Sequence, residues 1–202
     1  MKKLGLSFLL FLVACQALPA RGPALKHYDL GMLPAMKGSS SMGTAVVVQN
    51  PDAFDWLQST NIYYRFTYND PVQVRRYALS RWISPPPQLL APLMRGLLAH
   101  DVLIAGRKAG NHADWELSTN LIDFEQVFVT PDQSYGRVRL NATLIRLSDR
   151  AVLARRSFVQ DVEARQNNAQ GGVKALSEAS LLIVRQIGAW LARRIQVENL
   201  EH

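Results

Sequence analysis

Apolar positions along this chain repeat with two different periods, and the change from one to the other marks out the elements. Residues 27–33 (HYDLGML) alternate loosely and predict a first strand. The β-branched run at residues 44–49 (TAVVVQ) predicts a buried one. Between them, residues 34–43 read as a Gly/Ser loop with three consecutive serines. After the turn at Asn50, Pro51 and Asp52, residues 54–57 predict a short helical or irregular element. Residues 61–68 (NIYYRFTY) predict an aromatic strand, and residues 72–79 its hairpin partner beyond Asn69, Asp70 and Pro71. Pro85, Pro86 and Pro87 open a helix, because proline fits a first turn but not an interior. Leu89, Leu90, Leu93, Leu97 and Leu98 then recur at helical spacing. A short strand at residues 102–105 and a polar loop at residues 106–112 follow.

The second half is more regular. Residues 115–129 predict a long strand with Leu117, Thr119 and Leu121 on one side and Ile122, Phe124 and Phe128 on the other. Such a change of face calls for a β-bulge or a passage from sheet interior to edge. Residues 135–147 alternate cleanly, with Val138, Leu140, Ala142 and Leu144 inward and Arg137, Arg139, Asn141 and Thr143 outward. Ser148, Asp149 and Arg150 turn the chain, and residues 151–162 return as the hairpin partner. From Val173, the face formed by Leu176, Ser180, Ile183, Ile187, Trp190 and Leu191 predicts a long helix laid across a sheet. At roughly 25 residues and about 1.5 Å each, it would be nearly 40 Å long. No period of roughly 20 to 50 residues repeats, which argues against a solenoid or propeller.

The start of the chain follows another plan. Lys2 and Lys3 precede a short apolar run at residues 4–13, which closes on Leu12, Val13, Ala14 and Cys15. Charge, apolar core and small residue in that order describe a secretory signal peptide, and the run is shorter than the ~20 residues a spanning helix needs. Ending on cysteine, the segment resembles a bacterial lipoprotein signal with LVAC as its lipobox, which implies acylation, palmitate included, of Cys15. The alternative is ordinary cleavage near Ala17 or Ala20. Gln16 stands where lipoproteins kept at the inner membrane usually carry Asp, so the resemblance implies the outer membrane. Residues 1–14 are then the signal, residues 15–26 the acylated cysteine and a Pro/Gly-containing tether, and residues 27–199 a single domain. Leu200, Glu201 and His202 resemble a tag remnant.

Composition bounds the chemistry. With 48% hydrophobic and 19% charged residues, the chain is that of a folded domain. The formal charge of +7 falls to about +5 without Lys2 and Lys3. For an exported, anchored chain, that balance points to anionic lipid or an acidic protein face rather than nucleic acid, or to a merely solvated surface. Cys15 is the lone cysteine, so no internal disulfide and no cysteine metal site can form. His27, His100, His112 and His202 fall in no metal-binding spacing, and no G-x-S-x-G elbow or complete phosphate loop occurs. Asp123 and Glu125, two apart on one strand, share a face. They are either a carboxylate pair for acid–base work or solvated strand residues.

One long stretch carries a family likeness. Residues 63–98 read YYRFTYNDPVQVRRYALSRWISPPPQLLAPLMRGLL, with Tyr64-Arg65 closing one strand, Ser80-Arg81-Trp82 closing the next, and a proline-led leucine helix. LSTNLIDFEQVF (117–128), RVRLNATLIR (137–146) with AVLARRSF (151–158), and IGAWL (187–191) follow in order. Together they resemble the ABC-type transport auxiliary lipoproteins, the family of paraquat-inducible protein C. That resemblance implies an α/β single domain with one mixed β-sheet flanked by helices in three layers, similar to the TolB N-terminal-domain type, and closed by the long C-terminal helix. It also implies a non-enzymatic outer-membrane lipoprotein on the periplasmic face. There it would serve MCE-type intermembrane lipid transport beside an MCE-domain tube protein, as a homo-oligomer and without a cofactor. Arg65, Arg81 and Trp82 then have two readings: anchors of an interface, or structural residues with Trp82 capping the core and Arg81 paired to Asp123 or Glu125. The rival functions are a lipid-anchored envelope hydrolase and a periplasmic lipid-binding module, which needs a sizeable apolar cavity.

Overall fold

The computed structural model describes residues 22–31, 45–99, 102–105 and 113–201. Its organising element is the sixteen-residue strand β7 (Trp115–Thr130). One edge of β7 pairs antiparallel with β8 (Gln133–Arg146) along its length, and β8 pairs in turn with β9 (Val152–Glu163). Its other edge is taken successively by three short parallel strands, β2 (Ala45–Val48), β3 (Asp52–Ala53) and β4 (Asn61–Phe66). Outside these lie β6 (Leu103–Ala105), parallel to β2, and β5 (Val74–Trp82), antiparallel to β4. A three-residue strand β1 (Lys26–Tyr28) runs parallel to β5 at the rim. The described strands thus form one mixed sheet of nine.

A strand this long has to keep one apolar face toward the helices while its side chains alternate. It does so with a bulge. Leu121 pairs with Leu140, but Asp123 pairs with Arg139, so Ile122 is the extra residue. The inserted residue resets the phase: Leu117 and Leu121 before it and Phe124 after it all enter the same core. The sequence expectation of a bulge holds, but the two residue sets do not lie on opposite faces. The extra residue, Ile122, brings Phe124 and Phe128 to the side of Leu117 and Leu121.

Helix α1 (Pro86–Leu98) begins with its prolines in the first turn, and its buried face is Leu90, Leu93, Met94, Leu97 and Leu98. Pro92 sits inside it on the exposed side, where water can reach the Gln88 carbonyl that proline leaves without its helical partner. Helix α2 (Ala169–Glu201) is longer than expected, 33 residues, and starts one turn before Val173. The Asn168 side chain caps that start by accepting from the Gly171 N–H at 3.0 Å. The seven expected residues of its apolar face are all buried. Both helices join the same core, with Trp82 and Phe124 meeting edge-on at 5.5 Å and Phe158 and Trp190 at 5.8 Å. The α/β class, the single mixed sheet and the long closing helix agree with the sequence reading. Among the described residues the helices cover one face of the sheet, giving two layers where the resemblance implied three, and the opposite face of β7, β8 and β9 is open. The first strand ends earlier than predicted, at Tyr28, where Gly31 takes φ 85° and donates to the Asp29 carboxylate at 2.8 Å. The loops read at residues 34–43 and 106–112 lie outside the described residues.

Two glycines let α2 reach the sheet. A Cβ on Gly136 of β8 would stand 2.6 Å from the backbone nitrogen of Leu176, and one on Gly172 would stand 2.1 Å from Oε1 of Gln126. We expect Gly136→Ala to lower unfolding stability by about 1–3 kcal/mol, because helix backbone cannot yield as a side chain can. Gly96→Ala, with nothing within 4 Å, should raise it by about 0.5–1 kcal/mol through helix propensity. Urea unfolding of the two variants beside the parent checks both signs.

Candidate functional site

The open face of the sheet is where the sequence-flagged charges gather. Residues 63–66 of β4 lie level with residues 125–128 of β7, which puts Arg65 and Glu125 on the same uncovered face. The Arg65 guanidinium donates to both carboxylate oxygens of Glu125, from Nε at 3.0 Å and Nη2 at 3.2 Å, and its Nη1 donates to the Pro71 carbonyl at 2.7 Å. Across β8, Arg137 stands opposite Glu125 and is bidentate to Asp161 of β9 at 2.8 and 2.7 Å. Arg139 meets Asp123 at 2.9 Å, and Arg150 meets Glu116 at 3.1 Å. Cations and carboxylates thus alternate over four strands.

Asp123 and Glu125 do share a face, as their spacing predicts, but each is engaged by a guanidinium. Arg81 is not the partner of either. It turns back to donate to the Ser80 carbonyl at 2.8 Å and to the Tyr77 carbonyl. The arginine that holds Glu125 is Arg65, because parallel register puts β4, not β5, beside β7. Trp82 is 1% exposed, a core residue against Phe124 with no surface to offer a partner. Of the three residues read as interface anchors, Arg65 and Arg81 reach the surface in part, each with its guanidinium bonded within the chain. His27 is exposed on β1. Cys15, His100, His112 and His202 lie outside the described residues. Among the described residues no group of three or more His, Cys, Asp or Glu is placed to hold a metal ion.

Burial raises the Glu125 carboxyl above the ordinary carboxylate range, and the bonds from Arg65 offset only part of that rise. The Asp161 pair pushes the Arg137 guanidinium up, and burial does the same for the Tyr77 phenol. Tyr77 belongs to a buried polar chain that periodicity did not reveal. Its hydroxyl donates to Gln126 Oε1 at 2.8 Å, Gln126 Nε2 donates to Ser134 Oγ at 2.7 Å, and Ser134 Oγ donates to Asn167 Oδ1 at 2.7 Å. The clue was Gln126 itself, an amide at a core-facing position among apolar residues. This chain ties β5, β7 and β8 to the loop that starts α2.

The surface depressions are open grooves. One of about 460 Å³ on the open face is polar, lined by Ser118, Asn120, Asn141, Thr143, Arg155 and Ser157 among others. Another of about 550 Å³ lies between β1, Ile83 and the first turns of α2. No described helix is long and apolar enough to cross a membrane.

With this geometry in view, comparison with known proteins is informative. The family model for the ABC-type transport auxiliary lipoprotein component matches residues 28–188. The chain belongs to that family. The crystal structure of a Xanthomonas campestris protein of family DUF330 is similar, with a TM-score of 0.70 at 17% identity over 87% of this chain and 99% of that one. A second crystal structure, of an uncharacterized protein, gives 0.66 at 16% identity over 86% and 99%. At such identities these two likenesses establish the fold of the auxiliary lipoprotein domain. No curated protein matches the sequence. The family is a transport family, not a known enzyme family.

Arg65 and Glu125 give a direct test of how the open face is held. In the folded state Glu125 binds a proton more readily than when unfolded. Its contribution to stability is therefore fully present below the unfolded pKa and declines as pH rises through the raised one. Arg65→Met removes the partner, raises that carboxyl further, and should cost about 3 kcal/mol at neutral pH and clearly less in acid. Adding Glu125→Leu should recover most of the loss. Urea unfolding at neutral and acidic pH reads both effects.

Proposed function

We propose that this protein is a non-enzymatic outer-membrane lipoprotein, held on the periplasmic face by acyl chains on Cys15. In this reading it serves as a docking or scaffold subunit of an ABC/MCE-type system that moves lipid between membranes. The observation that carries the reading is the family match over residues 28–188 standing directly behind the LVAC lipobox. Gln16 after the cysteine favours export to the outer membrane. Several acyl chains, each contributing about 0.8 kcal/mol per buried methylene, make the attachment effectively permanent. Between anchor and β1 the chain has room to let the domain stand off the bilayer. The described carboxylates that sequence singled out are engaged in ion pairs across the sheet, an arrangement suited to a rigid binding surface. Its partner is an MCE-domain tube protein, and the working form is a homo-oligomer.

Two measurements test this. Labelled palmitate should enter the protein and Cys15→Ser should abolish its incorporation and release the domain from membranes. Capture of the lipidated protein from membranes, with mass spectrometry and native sizing, should recover an MCE-domain protein with an oligomer of this chain. A labelled protein recovered as a partnerless monomer would remove the docking role and leave the anchor standing.

A further inference from the structure

All the described features at one end of the sheet belong together. β4 and β7 run parallel, and the Thr67 N–H and hydroxyl both bond the Phe128 carbonyl at 2.9 Å, so the β4–β5 turn and the β7–β8 turn emerge side by side. Both turns expose apolar residues among polar ones, with Asn69 and Gln73 exposed in the first and Thr130, Asp132 and Gln133 in the second. Val72 is 82% exposed, Tyr68 48% and Val129 40%, with Pro71 and Pro131 also exposed beside them. The turn is held in shape from within, since Asp70 accepts from the Val72 N–H at 3.1 Å and Arg65 donates to the Pro71 carbonyl. Behind the tip, Arg75 stacks on Phe66 at 5.1 Å, and Arg76 is exposed. At the other end of the sheet the turn itself, Ser148, Asp149 and Arg150, is wholly polar and exposed, with Val152 exposed just beyond it.

The direction of β1 gives the apolar end its meaning. β1 is parallel to β5, with Lys26 level with Ser80 and Tyr28 with Trp82. The chain therefore enters β1 from the side of Val74, the end at which Tyr68 and Val72 protrude. From the level of Ser80 to Val72 is eight residues, at most about 27 Å at ~3.4 Å per residue. From Cys15 to Lys26 is eleven residues, which extend to about 36 Å. The tether is long enough to lie alongside the hairpin and bring its first residue level with the tip. Exposed valines among polar turn residues, with tyrosine at the margin and arginines behind, have the amphipathic make-up of a membrane-interface contact.

We propose that the paired β4–β5 and β7–β8 turns, through Tyr68, Val72 and Val129, rest in the interface of the lipid bilayer that holds the Cys15 anchor. This rests on the reading of Cys15 as acylated. The sheet then stands end-on to the membrane, with the Ser148–Arg150 turn farthest from it.

Single-cysteine probes test the proposal cleanly, because the lone native cysteine is consumed by acylation. Full-length lipidated Val72→Cys and, separately, Ser148→Cys would be labelled with an environment-sensitive fluorophore in vesicles of phosphatidylethanolamine and phosphatidylglycerol. The expected result is blue-shifted emission at position 72, quenched by doxyl-labelled lipid, and water-like, unquenched emission at position 148. Adding Tyr68→Asp to the Val72→Cys protein should weaken the quenching severalfold. Water-like emission at position 72 in protein that still floats with the vesicles would overturn the proposal while leaving the anchor intact. A blue shift without lipid quenching would put protein, not bilayer, against the turn and also overturn it. Failure to float, with no palmitate incorporated, would remove the acylation on which the proposal stands.

Discussion

Everything in this domain depends on one sixteen-residue strand keeping a single face, apolar but for Thr119 and Gln126, toward the core. β7 is the only described strand that touches β2, β3, β4 and β8, and through them it holds the rest of the sheet. A strict two-residue alternation would have carried either Leu121 or Phe124 to the solvent side, since they are three apart. Exposing a large apolar side chain there would forfeit about 1.5–3 kcal/mol of burial and open the contact with Trp82. The residue inserted at Ile122 prevents this. The same bulge sets where Asp123 and Glu125 fall on the opposite face, and hence which arginines they meet. Core and surface are fixed by one backbone irregularity.

The open face shows how a sheet surface without a helix above it is stabilised. Glu125 is almost fully buried, yet it stays bonded to a guanidinium that is itself partly in water. Desolvation and pairing nearly oppose each other there, and burial prevails in setting the proton affinity of the carboxyl. Farther along, Arg137 and Asp161 are exposed enough that their geometry matters more than their energy. They fix the order of charges along the rim strand β9 and place arginines and carboxylates on an edge whose backbone groups would otherwise invite pairing. The face is held by charge, not by apolar cover.

Much of this was legible in the sequence, and the exceptions have definite causes. The β8–β9 hairpin and α1 follow from their periodicity, and the apolar face of α2 was found residue by residue. Its length was not, because Gly171 and Gly172 stand in a polar stretch with no apolar period before Val173. They are in fact helical, and Gly172 is glycine so that Gln126 can lie against it. Arg81 was paired wrongly because periodicity assigns faces but not neighbours. Only the parallel register of β4 on β7 shows that Arg65 reaches Glu125. The polar chain from Tyr77 to Asn167 joins residues ninety apart in sequence, and no local pattern encodes it. Trp82 could be read as core or as interface until burial decided.

With the proposed acylation of Cys15, strand direction sets how the domain would stand at a membrane. A tether by itself permits every orientation of the domain it carries. Here the chain enters its rim strand from the side of the β4–β5 and β7–β8 turns, so the reach of the proposed tether and the location of the exposed Tyr68 and Val72 favour the same pose. In that pose β7, at about 3.3 Å per residue, extends roughly 50 Å along the membrane normal. The open charged face and the rim strand β9 would then look sideways, where the proposed neighbouring copies or tube protein would stand. In the proposed scaffold role the domain would do no chemistry of its own. Its contribution would be to hold a rigid, charge-patterned wall upright at a fixed height, which demands the stiffness that the bulged strand, the glycine contacts and the buried polar chain supply.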